Sequence, residues 1–168
     1  MKSLILHSHE VVQLSETGIV TVVRVVKPQP EYHPYMNKQS LHWNGCGGWS
    51  LDEISKNCPF GHPGEVRWVR ETWGIAYFSF EFGGKQPNSA NIGYKADGIK
   101  LPLTCSNTKR VSLTSKPDIG YHSPDTWRSS STMPQWASRF NVECVSVEVV
   151  KQLCADIWDW KIKYKKVG

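Results

Sequence analysis

No apolar run in this 168-residue chain approaches the roughly 18 residues a membrane-spanning helix requires, so no membrane partner is expected. Residues 1–10 lack the layout of a signal peptide, and a cytoplasmic location is the expectation. There is no internal repeat, no phosphate-cradling glycine loop and no heptad series, which sets aside repeat proteins, P-loop enzymes and coiled coils. Cysteine is sparse and its spacing irregular; five thiols, an odd number, are expected to stay reduced and not to form a disulfide framework. The length is short of what two ordinary domains need. One domain over residues 1–160 is therefore expected, followed by a basic tail at 161–168.

What is present leans towards an anionic partner. The net charge is +5 and the isoelectric point about 9.0, and nucleic acid is the commonest polyanion for such a protein to meet. Part of that excess sits in Lys161, Lys163, Lys165 and Lys166, where a solvated tail would account for it equally well. Tryptophan is abundant, with eight residues; it builds cores, anchors interfaces and stacks on bases, and the count alone does not separate these.

The chain is organised around residues 58–73, CPFGHPGEVRWVRETW. Pro59, Gly61, Pro63 and Gly64 forbid regular structure, because proline lacks an amide donor and glycine admits left-handed angles. A strand follows from Val66. Its period of two puts Arg67, Val69, Glu71 and Trp73 on one side, so the acid Glu71 shares a face with two apolar residues.

Elsewhere, strands are expected at 3–6, 19–26, 75–82, 92–96 and 140–149, with the last of these the final strand. Helices are expected from Ser8 to about Glu16, closed by Gly18, and over 150–160, where Leu153, Ile157 and Trp160 would share a face. Gly83-Gly84 and Asp97-Gly98 are turn signals. Two stretches, about 31–57 and 100–131, are expected as long loop insertions, and 161–168 as a frayed end.

Four pieces carry a family resemblance: RVVKPQP (Arg24 to Pro30), residues 58–73, YKADG (Tyr94 to Gly98) and WRSSSTMPQWASRF (Trp127 to Phe140). In patches from about residue 4 to about residue 155, the chain resembles the ASCH proteins of bacteriophages and prophages, themselves similar to the PUA-like group of small β-barrels that handle RNA or modified nucleobases. The resemblance implies an α+β fold, a small mixed barrel with short flanking helices, in the cytoplasm of a bacterial host. ASCH hydrolases acting on acetylcytidine use a lysine and a threonine three residues later, together with a glutamate. Here the lysine position holds Val20 or Ile19 and the threonine position Val23 or Val22, depending on the alignment. Valine neither accepts nor delivers a proton, so the hydrolase mechanism is expected to be absent. In the tryptophan block, Ser129, Thr132 and Gln135 depart from the family pattern.

The expected function is non-catalytic binding of nucleic acid or a modified nucleobase in a basic, tryptophan-lined cleft, without a cofactor. Arg24 and Lys27 would meet phosphate, Trp73 or Trp136 would stack on a base, and Glu71 would accept from an exocyclic amine. Arg128 and Arg139 suit phosphate by the fork of the guanidinium, with Ser138 as a further polar contact; a surface ion pair reads the same way. Two alternatives stand beside this: a phage protein that binds and inhibits a host nuclease or defence protein, and an amidohydrolase of acylated nucleosides. His42, Cys46, Cys58 and His62 form H-x3-C and C-x3-H pairs that suit tetrahedral zinc, although their order is inverted from the usual finger and ordinary loop residues are the preferred reading.

Overall fold

The computed structural model describes residues 1–32, 41–80, 87–102, 127–152 and 154–168, with side chains described outside 76–90. In chain order the elements are β1 (Ser3–Ile5), α1 (Ser8–Thr17), β2 (Ile19–Val25), β3 (Glu31–Tyr32), β4 (Leu41–Trp43), β5 (Cys46–Trp49) and α2 (Leu51–Lys56). There follow β6 (Val66–Arg70), β7 (Trp73–Phe80), β8 (Pro87–Tyr94), β9 (Lys100–Pro102), 3-10 turns at Ser130–Thr132 and Gln135–Ala137, β10 (Asn141–Lys151) and β11 (Trp158–Val167). The fold is mixed α+β. Its described strands lie in three sheets and close no barrel, which corrects the barrel expected from the family resemblance.

Two compact units divide the chain. One holds Met1–Lys2, Gln13–Arg67 and Asn141–Gly168; the other holds Ser3–Val12 and Trp68–Phe140. In the first, β11 lies antiparallel between β10 and β2, with Ile162 opposite Val147 on one side and Val22 on the other. Alternate residues point inward, and Val20, Val22, Val142, Ile162 and Tyr164 are fully buried. Trp160 joins them and meets Trp43 edge-on, so these two indoles are core, and half-buried Trp49 packs edge-on against Trp43.

Two expectations for the C-terminus are corrected here. Residues 150–160 are no helix: β10 runs on to Lys151, Asp156 turns the chain with a φ of 50°, and β11 starts at Trp158. Val149 and Val150 favour the strand through their β-branching, and the Gln152 amide closes the turn onto Ile157 O at 2.8 Å. Residues 161–168 are no frayed tail either, since Val167 still pairs with Asn141.

The stretch 31–57 also holds more structure than an irregular insertion. Asn44 and Gly45, with φ of 51° and 79°, turn β4 into β5, where Trp43 pairs with Cys46. α2 opens on a capping box: the Glu53 amide donates to Ser50 Oγ at 3.2 Å, and the Ser50 amide to Glu53 Oε2 at 2.8 Å.

In the second unit β1 runs parallel to the Trp68–Arg70 end of β6, with Leu4 opposite Val69. β8 lies antiparallel between β7 and β9, and Ile75 pairs with Ile92. Trp73, Ile75, Ile92, Tyr94, Met133 and Ala137 form the core, with Trp68 and Trp136 packed against it. The 100–131 stretch expected as loop begins as β9, and Arg128 near its end bridges to Trp73. Residues 33–40 and 103–126, the turn at Gly83-Gly84 and the helix-face position of Leu153 lie outside the described residues.

Candidate nucleic-acid interface

The expected alternation runs through β6 and on past its end to the start of β7: Arg67, Val69, Glu71 and Trp73 are all buried, and Val66 is exposed. At the end of that face Arg139 Nε donates to Glu71 Oε1 and Nη2 to Oε2, each at 2.8 Å, a two-pronged bond to the carboxylate. The same guanidinium reaches Asp97 Oδ2 through Nη1 at 2.7 Å. Its plane packs against aromatic rings, 4.3 Å from the Tyr94 centroid and 4.7 Å from that of Phe140. Only 4% of the Arg139 side chain and 2% of the Glu71 side chain meet solvent.

The ionisation of this cluster follows from its dryness. Burial pushes the Glu71 carboxyl above the usual carboxylate range, against the opposing pull of the Arg139 hydrogen bonds and charge. Burial works against the Arg139 charge, and the hydrogen bonds from Glu71 and Asp97 more than offset it, so the cation is held more firmly than usual. Burial also drives the Tyr94 phenol well upward, and its hydroxyl donates to Ala137 O at 2.8 Å. Every strong group here already faces another from the same chain. Chemically the arrangement is a clamp that ties β6, the turn after β8 and the segment before β10.

The tryptophan block lies beside it. Trp73 and Trp136 meet edge-on with centroids 6.2 Å apart, and the Arg128 guanidinium sits 5.1 Å over the Trp73 ring. Ser138 Oγ donates to Val69 O at 2.8 Å and is within 3.0 Å of Phe140 O. The structure thus brings Glu71, Trp73, Arg128, Trp136, Ser138 and Arg139 into one unit and directs most of them at one another. Arg24 and Lys27 belong to the other unit, where Arg24 Nη1 donates to Val23 O at 2.9 Å and Lys27 is exposed. Val20 and Val22 are fully buried, and Ile19 and Val23 are exposed.

The zinc quartet is not assembled. Among the described residues no three His, Cys, Asp or Glu side chains gather to hold a metal; Cys58 is buried while Cys46 and His62 are exposed.

A second charged surface, read from sequence as a tail, is an ordered strand face in the first unit. β11 alternates buried Trp160, Ile162 and Tyr164 with exposed Lys161, Lys163 and Lys165. At a rise of about 3.4 Å per residue the three lysine Cα atoms stand in a row spaced about 7 Å apart. Lys165 pairs with Glu143 at 3.1 Å; Lys161 and Lys163 have no ion pair among the described residues. The signal for this row was in the sequence all along, as the strict alternation of WKIKYK. The sequence matches no protein-family model, and neither the curated proteins nor the solved structures compared with it include a match.

Proposed function

We propose that the protein is a non-catalytic nucleic-acid-binding domain that holds the phosphate backbone on the outward face of β11. The observation that carries this reading is the row Lys161, Lys163, Lys165, presented by a strand whose other face is core, so that the charges are pre-aligned. A cation fixed on a sheet loses less freedom on binding than one on a mobile end. The net charge of +5 supports a polyanionic partner, and the resemblance to ASCH proteins and the PUA-like group supports nucleic acid as that partner. Glu71 supports the non-catalytic part: both its oxygens are occupied by Arg139 and it is cut off from solvent.

The test is fluorescence anisotropy of labelled RNA and DNA 20-mers at about 50 and about 200 mM salt. Three phosphate contacts give roughly a twenty-fold loss of affinity across that range for a single strand and about forty-fold for a duplex. Replacing Lys161 and Lys163 by alanine should weaken binding to all sequences alike and reduce the salt slope by about one per lysine. Salt-independent binding, or a double variant that binds like the parent, rejects the reading.

A further inference from the structure

The two flanks of the lysine row differ in a way that selects the form of nucleic acid. Residues directly opposite in an antiparallel pair point to the same side of the sheet. On the β10 side Glu143 stands opposite Lys165, Ser146 opposite Lys163 and Glu148 opposite Lys161. On the β2 side the corresponding residues are Ile19, Thr21 and Val23. One flank is therefore acidic and already draws Lys165 towards it through Glu143. The other carries no charge and is mostly apolar, with Thr21 between two aliphatic residues. Ile19 and Val23 are 42% and 50% exposed, high for β-branched residues on a regular strand, where such side chains more often pack against a neighbour.

We infer that this face takes a single strand of nucleic acid laid along β11, with its phosphates over Lys161, Lys163 and Lys165 and its bases turned to the β2 side, onto Ile19, Thr21 and Val23. The inference rests on the reading of the lysine row as a phosphate site and adds its substrate class and orientation. Carboxylates at 143 and 148 repel both phosphate and the electron-rich base carbonyls, so the strand shifts towards β2. A single strand exposes base faces that cover apolar side chains; a duplex stacks its bases inward and offers this flat face only its backbone. With the Thr21 hydroxyl as its one donor or acceptor, able to serve as either, the flank reads little of a base-specific pattern, so the contact tolerates most base sequences.

The experiment compares four probes of equal phosphate count at about 50 and about 200 mM salt: a thymidine 20-mer, its RNA equivalent, a blunt duplex and an abasic strand that keeps sugar and phosphate but has no bases. Single strands, both RNA and DNA, are expected to bind about ten-fold tighter than duplex or abasic strand, the size of effect that covering roughly 55 Å² of apolar surface gives. The variant Ile19→Ser with Val23→Ser should lose that advantage while keeping the duplex affinity, the salt slope and the thermal midpoint. If all four probes bind equally and the serine variant changes nothing, the orientation is wrong while the phosphate reading stands. If none binds, the phosphate reading itself has failed. If the serine variant alters only the sedimentation of the protein, the flank pairs two copies of this chain and the inference is overturned.

Discussion

Arg139 in one compact unit and the lysines of β11 in the other are cations set beside carboxylates, and they differ in what their surroundings leave for them to do. Arg139 is spent inside the protein: Glu71 takes two of its nitrogens, Asp97 a third, and aromatic rings lie against its plane. Lys161 and Lys163 stand in water with no ion pair among the described residues. Buried charge of this kind is costly to break and contributes to stability only while complete. Exposed charge contributes almost nothing to stability and is available for a partner. The difference explains why residues that look alike in sequence divide here into structural and candidate functional sets.

The largest expected effect comes from breaking the buried side. Arg139→Ala leaves the Glu71 carboxylate desolvated without its partner and should cost about 3–5 kcal/mol in urea unfolding. Arg139→Lys, which keeps the charge but not the fork, should recover part of that loss. If Arg139→Ala were neutral, the clamp would have no structural weight and the contrast with β11 would collapse.

Alkaline pH should act next, again through buried groups. Burial raises the Cys144 thiol from 9.0 to about 11, and it raises the Tyr164 and Tyr94 phenols as well. Between pH 9 and pH 11 the unfolded thiol has released its proton while the folded one still holds it, so stability present below pH 9 is lost as the pH rises through that window. The thermal midpoint is expected to fall from pH 9 to 11, and Cys144→Ala should make that fall shallower. An unchanged slope in this variant would mean the thiol ionises as freely in the folded chain as in the unfolded one.

The smallest stability effect belongs to the exposed side. Alanine at Lys161 and Lys163 together should move the unfolding free energy by less than about 0.5 kcal/mol per site, although it weakens nucleic-acid binding. A large destabilisation would place these lysines in the same structural class as Arg139.

Several features are readable in the sequence itself. The alternation after Val66 put Arg67, Val69, Glu71 and Trp73 on one face, and all are buried. Asn44-Gly45 between Trp43 and Cys46 is a strong hairpin signal, and Ser50 with Glu53 is a capping box. Both sit in a Gly-, Asn- and Tyr-rich stretch whose composition otherwise favours loop. The C-terminal lysines misled for a different reason: high charge density favours reading a frayed end, yet every second residue from Trp158 to Tyr164 is apolar or aromatic and buried. Helical spacing over 150–160 was a coincidence of three residues, outweighed by β10 continuing through Val149 and Val150.

The sequence by itself determined the local features, namely where strands begin, which of their residues share a face, where Gly18 ends a helix and Asn44-Gly45 turns the chain. Those depend on periods of two and 3.6 and on the backbone freedom of single residues, all of which act over a few positions. Only the tertiary structure decided that Glu71 is closed by Arg139, 68 residues further along, and that the exposed lysines have Ile19, Thr21 and Val23 on one side and Glu143 and Glu148 on the other. Partner choice across such distances depends on strand order and register, and those are set by how the whole apolar surface packs.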